Sequence, residues 1–77
     1  MENYHEITQK ISFRIKQLRK EKNLTQEKLS QLSGVDYKHI QLLESKKAPA
    51  VRIDTLEKIC IGLNISLSNF FKEEFNE

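Results

Sequence analysis

One short stretch of the chain places polar, hydrogen-bonding side chains along one side of a predicted helix. In the helix that follows Asp36, a rotation of about 100° per residue puts Ile40 and Leu43 together on one side. The other side carries the side chains of Lys38, Gln41, Leu42 and Ser45, and those of Tyr37 and His39 flank them. These groups include the donors and acceptors that base edges and phosphates require, although any solvated helix face offers similar groups. The helix alone therefore leaves both interpretations open.

The residues before this helix predict a second helix and a tight turn. Thr25 can cap a helix on which Leu29 and Leu32 fall on one face. Gly34 follows, and because glycine has no Cβ atom it can end this helix in the left-handed conformation without a steric penalty. Asp36 is a strong cap for the next helix. Two short helices hinged on one glycine have the form of a helix-turn-helix.

Apolar residues at helical spacing predict three further helices, so we expect five helices and no strand. The first covers roughly residues 5–22, ended by Asn23, and the fourth covers roughly 53–63, with Asn64 as a left-handed stop. Ser66 caps the fifth, which covers roughly 66–74. We expect residues 1–77 to form a single all-α domain. The first helix has one apolar stripe, and the fourth has a set of residues predicted to face inward. The stripe is Ile7, Ile11, Ile15 and Leu18, the inward set is Ile53, Leu56, Ile59, Cys60 and Leu63, and the apolar residues of the fifth helix are Leu67, Phe70, Phe71 and Phe75.

Length and composition exclude several classes of protein. A chain of 77 residues with 38% hydrophobic and 31% charged residues is typical of a small folded domain and not of a disordered chain. We find no apolar run long enough for a membrane helix and no signal peptide, so we expect a cytoplasmic protein. Cys60 lies on an apolar face, and His5 and His39 lack neighbours at metal-ligand spacing. We therefore expect no metal, no cofactor, no small-molecule ligand and no enzymatic activity.

The basic charge is concentrated around the helix-turn-helix. Residues 10–52 contain eleven Lys or Arg and four Asp or Glu, a net charge of +7, whereas the rest of the chain carries −5. A polyanion such as a phosphate backbone would be attracted to this region. For the cations of the first helix a solvated mixed-charge face is the simpler interpretation, whereas for Lys46 and Lys47 we favour phosphate contact.

From about Ile11 to Phe71, the chain resembles the lambda-repressor-like, Cro/C1-type helix-turn-helix domains of bacteria, phages and plasmids. The resemblance implies a compact five-helix DNA-binding domain with the helix-turn-helix at its second and third helices. The segments that carry it are Arg14-Ile-Lys-Gln-Leu-Arg19, Leu24-Thr-Gln-Glu-Lys-Leu29, Ser33-Gly-Val35, Ile40-Gln-Leu-Leu-Glu44, Thr55-Leu-Glu-Lys-Ile59 and Leu63-Asn-Ile-Ser-Leu67.

The resemblance also implies roles for individual residues. Gln26 corresponds to a residue that hydrogen-bonds a phosphate and braces the reading helix, and Arg19 to a structural ion-pair partner of Glu44. Unpaired, Glu44 would oppose the helix dipole and repel phosphates. The implied base-reading residues are Tyr37, Lys38, His39 and Gln41, and the implied phosphate-gripping loop is Ser45, Lys46 and Lys47.

Three residues depart from the family pattern. Lys46 occupies a position where the family usually has glycine, and the loop after it is about one residue longer than the commonest form. Ser30 replaces a small alanine between the helices, so its hydroxyl needs an acceptor. Leu42 is apolar on the outward side, where contact with a thymine methyl group and partial burial against neighbouring residues are both open.

Apolar residues outside the predicted core indicate a partner surface. Ile61 projects nearly opposite the inward stripe of its helix, and Leu67 and Phe75 extend beyond what the core requires, so we expect these residues and the C-terminal helix, about 66–75, to form a dimer interface. The alternative is that they fold back over the small core. A symmetric homodimer would read two half-sites of a near-palindromic operator in double-stranded DNA.

Taken together, these features predict a sequence-specific transcriptional regulator. Within the family, the short chain with a C-terminal dimer helix is similar to the controller proteins of restriction-modification systems and to small phage and plasmid repressors. The competing class is a protein-interaction module, such as the antitoxin of a toxin-antitoxin pair. The sequence itself does not separate these classes.

Overall fold

Five helices make up the part of the chain that this computed structural model describes, residues 3–72. They are α1 (Asn3–Glu21), α2 (Gln26–Ser33), α3 (Tyr37–Leu43), α4 (Ile53–Leu63) and α5 (Leu67–Phe70). No strand occurs among residues 3–72, so the predicted all-α, five-helix fold is confirmed.

Three of the helices begin at the side-chain caps that the sequence predicts. In each case the cap oxygen accepts a hydrogen bond from a backbone N–H of the first turn, which satisfies a donor that the helix itself leaves unpaired. The pairs are Thr25 with Lys28 at 2.9 Å, Asp36 with Lys38 at 3.0 Å, and Ser66 with Asn69 at 3.1 Å.

Left-handed residues end three helices. Asn23 follows α1 with φ of 57°, Gly34 ends α2 with φ of 77°, and Asn64 ends α4 with φ of 60°. Glycine and asparagine adopt this conformation at the lowest cost, which is why the sequence predicts all three stops. These ends set the directions in which α2, α3 and the chain after α4 leave their turns.

The core forms where α2 packs against α4 and α3, with α1 and α5 also contacting α4. Gly62 allows α4 to approach the end of α2, since a Cβ atom at this position would lie 2.9 Å from Ser33 Cβ and 3.0 Å from Ser33 N. The backbone nitrogen cannot move aside alone, so the close packing requires glycine. Each of the five helices contributes side chains to the core, and Val35 does so from the turn between α2 and α3. The core residues are Ile11, Ile15, Leu18, Leu29, Val35, Ile40, Leu43, Leu56, Ile59, Cys60, Leu63 and Phe70.

The predicted apolar stripes are exposed at their ends. Ile53, predicted to face inward, is 65% exposed, so that prediction is wrong. Ile7, on the stripe of the first helix, and Leu32, on one face with Leu29, are 43% and 47% exposed. Each lies near an end of its helix, where the neighbouring described helices no longer cover the apolar side. Helical spacing alone therefore predicts a longer buried stripe than the structure has.

The C-terminal helix is also shorter than predicted. It ends at Phe70. The Phe71 N–H still donates to Leu67 O, four residues back, whereas the Lys72 N–H donates to Asn69 O, three residues back, in a terminal turn. Phe75, predicted in this helix and in the dimer interface, lies outside the described residues.

Candidate nucleic-acid interface

Helix α3 is anchored on one side and open on the other. Ile40 and Leu43 are 0% and 2% exposed and belong to the core. The opposite side, which we call the outward face, consists of Tyr37, Lys38, Gln41, Leu42 and the exit residue Ser45. Its members are exposed, except for the half-buried Ser45. The side chains that could meet a ligand are therefore carried by a helix whose rotation is fixed by the core.

The turn between α2 and α3 is held by hydrogen bonds within the turn itself. The Gly34 N–H donates to Ser30 O at 2.9 Å, and the Val35 N–H donates to Ser33 Oγ at 3.1 Å. Ser30 Oγ donates to Val35 O at 2.6 Å, so its hydroxyl has the acceptor that a serine at this helix crossing needs. The turn fixes the angle between the two helices, and with it the direction of the outward face.

A buried polar network fixes the other end of α3. Arg19 Nε donates to Glu44 Oε2 at 2.7 Å and Arg19 Nη2 donates to Glu44 Oε1 at 3.0 Å, a bidentate pair with side chains only 12% and 1% exposed. Arg19 Nη1 also donates to Leu24 O at 2.7 Å. The structure thus contains the ion pair that the resemblance implies, and it joins α1, the chain before α2 and the end of α3.

Gln26 completes this network. Its Nε2 donates to Glu44 Oε1 at 3.0 Å, so the first residue of α2 is tied to the residue that caps α3. This contact is the bracing role that the resemblance implies for Gln26. It also places a polar side chain of α2 beside the C-terminal end of α3.

The four residues predicted to read base edges lie at different positions around α3. Lys38 and Gln41 are exposed on the outward face, and Gln41 Nε2 donates to Tyr37 Oη at 3.1 Å, which holds the amide and the phenol together. His39 lies to the side of this face and is half-buried. The structure therefore brings Tyr37, Lys38 and Gln41 together and leaves His39 at the margin.

The predicted phosphate-gripping loop follows α3 directly. Ser45 Oγ donates to Leu42 O at 2.7 Å, and the buried Ser12 Oγ of α1 donates to Ser45 O at 3.2 Å. Lys46 and Lys47 are exposed beyond this point. The loop is therefore fixed at its first residue and presents two cations next to the outward face.

An open groove of about 360 Å³ lies between α1 and this loop. Phe13, to which the sequence assigns no role, is 57% exposed at its edge. The groove residues are Gln9, Ser12, Phe13, Lys16, Glu44, Ser45 and Lys46. Its basic side chains add to the positive charge around the loop.

Arg14 forms tertiary contacts that the sequence analysis missed. Its Nε and Nη2 donate to Phe70 O and Asn69 O, both at 2.8 Å, so α1 supplies donors to the last carbonyls of α5. A cation is favourable near a helix C-terminus, but this general preference does not identify the partner of Arg14, which is more than fifty residues away along the chain.

Other titratable groups lie outside this surface. Asp54 accepts hydrogen bonds from Arg52 at 3.0 and 3.2 Å, and the hydrogen bond lowers the pKa of the Asp54 carboxyl. Burial raises the pKa of the Cys60 thiol to about 11, as expected for a small apolar core residue. Among residues 3–72 there is no group of three or more His, Cys, Asp or Glu placed to hold a metal ion. None of the five described helices is long and apolar enough to cross a membrane.

Comparison with known families and structures agrees with this geometry. The family model of the Cro/C1-type helix-turn-helix DNA-binding domain matches residues 14–75. No curated protein matches the sequence. Among solved structures, the wild-type restriction-modification controller protein C.Esp1396I is 39% identical, with a TM-score of 0.77 over 83% of this chain and 82% of that chain.

Two further structures of that controller protein contain DNA. C.Esp1396I bound to a 19-base-pair duplex gives a TM-score of 0.78 over 83% of this chain and 84% of that chain. Its tetramer in complex with a natural 35-base-pair operator gives 0.78 over 83% of each chain. Both are 39% identical to this sequence.

Proposed function

We propose that this chain, which belongs to the Cro/C1-type helix-turn-helix DNA-binding family and is a transcriptional regulator, acts as a homodimer on a near-palindromic operator. The observation that carries the proposal is the outward face of α3, which is polar at its exposed positions except Leu42 and is fixed from behind by the core. A helix of this kind fits the major groove of B-form DNA, where base edges present donors and acceptors.

Each polar residue of the surface has a proposed part in binding. Lys38 and Gln41 donate to base edges, and Tyr37 and His39 contact bases at the margins of the same face. Lys46 and Lys47, with Ser45 and Gln26, contact phosphates. Because phosphate contacts position a protein and base contacts specify sequence, the two groups should respond differently to substitution.

A second copy of the chain is the proposed partner on DNA. Ile61 is 67% exposed on α4, and Ile53, wrongly predicted to face inward, is 65% exposed on the same helix. Leu67 is half-buried against its own core, which leaves part of its side chain available. We infer that Ile61, Leu67 and Phe75 contribute to the dimer interface, with Ile53 as an additional candidate.

The similarity to C.Esp1396I supports a finer assignment. We propose that the chain is a controller protein of a restriction-modification system that binds the operator of its own genes. It would work in the cytoplasm and by binding alone, without a catalysed reaction or a cofactor. A neighbouring endonuclease and methyltransferase gene pair is the observation that would support this assignment.

Selection from a random duplex pool tests the proposed function. The selected site should be near-palindromic, with half-sites about one helical turn apart. Lys38→Ala or Gln41→Ala should lower specific binding by about 1–3 kcal/mol if each makes a good base contact, while the fold stays intact. Wild-type binding to the selected operator by both variants would contradict the assignment of the outward face.

Lys47→Ala should act differently from these variants. It should weaken binding to all duplexes by a similar factor and reduce the slope of log affinity against log salt by about 1, because one phosphate contact is lost. Lys20→Ala is the matched control, since it removes the same charge from an exposed position on α1. An equal slope change in both variants would show that overall charge, and not the loop, determines phosphate binding.

The dimer is tested by sedimentation at micromolar concentration. The wild-type chain should sediment as a dimer, and Ile61→Glu should shift it toward monomer while the far-ultraviolet circular dichroism stays unchanged. Phe13→Glu provides the control, because Phe13 is a similarly exposed apolar residue on α1. A wild-type chain that remains monomeric with operator present would contradict the homodimer.

A further inference from the structure

Leu42 is an exposed apolar residue on an otherwise polar surface. Its side chain is 51% exposed, whereas the two other aliphatic residues of α3, Ile40 and Leu43, are almost fully buried. The core therefore does not use Leu42. The sequence also leaves open that Leu42 is partly buried against neighbouring residues, but such burial covers only about half of the side chain.

The position of Leu42 on the helix places it among the proposed DNA contacts. Lys38 lies one turn before it and Ser45 three residues after it, so the three share a side of the helix. The Leu42 carbonyl already accepts the Ser45 hydroxyl and backbone N–H, at 2.7 and 3.1 Å. What this position offers to a ligand is thus its aliphatic side chain.

The major groove presents one kind of apolar group, the C5-methyl of thymine. The other base-edge groups that bases present in this groove are polar: the amino groups of cytosine and adenine, and the acceptors of guanine, adenine and thymine. A leucine pressed against one of those groups would take it out of water without a hydrogen bond, at a cost in binding free energy. When the leucine contacts a methyl group instead, the apolar surfaces of both the leucine and the methyl group are removed from water.

We propose that Leu42 contacts the C5-methyl group of a pyrimidine and thereby specifies thymine at one position of each half-site. The inference rests on the proposed function, because it requires α3 to lie in the major groove. It adds an apolar determinant of specificity to the polar residues of the outward face. The same contact would accept 5-methylcytosine, which carries the same methyl group at the same ring position.

The test is a double-mutant cycle between the protein and single thymines of the selected operator. Replacing thymine by deoxyuridine removes only the methyl group. For the wild-type chain, one such replacement in a single half-site should weaken binding about fourfold, the effect that corresponds to burying one methyl-sized group. For Leu42→Ala, the same replacement should have no measurable effect, while other thymines behave as in the wild-type chain.

A second arm identifies the source of the methyl group. At the sensitive position, 5-methylcytosine should bind the wild-type chain about fourfold better than cytosine, and Leu42→Ala should not distinguish them. Recovery only with thymine would show that groups of the base pair other than the methyl are read there, which would overturn the proposal.

Leu32→Ala is the matched control, since it truncates a leucine of similar exposure, 47%, on α2. This variant should keep the wild-type sensitivity to deoxyuridine. If Lys38→Ala weakens binding but Leu42→Ala responds to deoxyuridine as the wild-type chain does, the inference fails while the proposed function stands. If neither substitution affects binding to the selected operator, both fail.

Discussion

Replacing Glu44 by alanine should lower the free energy of unfolding by about 3–5 kcal/mol, because the Arg19 guanidinium would remain buried without its partner. The substitution removes both hydrogen bonds from Arg19 and the one from Gln26, and it frees the end of α3. Urea unfolding followed by circular dichroism measures this loss. The surviving folded fraction should also bind operator more weakly, since α3 is no longer braced.

The matched control replaces both members of the ion pair. Arg19→Met with Glu44→Leu fills the same space with apolar side chains, and a change of this kind is often neutral or stabilising. The double variant should therefore be more stable than Glu44→Ala alone. A loss below about 1 kcal/mol for Glu44→Ala would contradict the account of a buried pair that holds α1 to α3.

Replacing Phe70 by alanine should cost about 3–5 kcal/mol of unfolding free energy, although its helix is one turn long. Phe70 is fully buried, and its ring meets that of Phe71 edge-on, with centroids 5.1 Å apart. Its carbonyl accepts a hydrogen bond from Arg14. A domain of this length has a total stability on the order of 4–12 kcal/mol, so the variant should lose a quarter or more of it.

Phe13→Ala controls for the loss of a phenyl ring as such. Phe13 is 57% exposed, and an exposed substitution of this kind usually changes stability by less than about 0.5 kcal/mol. Thermal unfolding of both variants under one set of conditions makes the comparison. Equal midpoints would show that α5 does not depend on the Phe70 side chain for its attachment to the core.

The starts of α2, α3 and α5 and the ends of α2 and α4 could be predicted because the signals that set them are local. Thr25, Asp36 and Ser66 cap the helices that follow them, and Gly34 and Asn64 end helices in the left-handed conformation. Each of these residues acts on backbone groups within a few positions along the chain. Such a signal does not depend on residues that are distant along the chain.

The outward face of α3 was predictable for a related reason. Ile40 and Leu43 lie on the side that is buried, so the helical period alone places Lys38 and Gln41 on the other side. The bracing network around Glu44 was not predictable from spacing, because it joins residues 18 and 25 positions apart. It was expected only through the resemblance to a known family.

The errors concern contacts between elements that are distant in the sequence. Ile53 has the spacing of a core residue but begins α4, where no neighbouring helix covers it. Arg14 was interpreted as a surface cation, whereas it binds carbonyls of α5. Ser12, for which the sequence makes no prediction, is buried, and its hydroxyl donates to the carbonyl of Ser45. Helical periodicity describes one helix at a time and does not include its neighbours.

The central claim is that the outward face of α3 lies in the major groove of operator DNA. Dimethyl sulfate footprinting of the selected operator tests it directly, since the reagent methylates guanine N7 in the major groove and adenine N3 in the minor groove. Guanine N7 should be protected in both half-sites, and the protection should be lost or reduced at one position with Lys38→Ala. Protection confined to adenine N3, or a footprint that no substitution on the outward face alters, would contradict it.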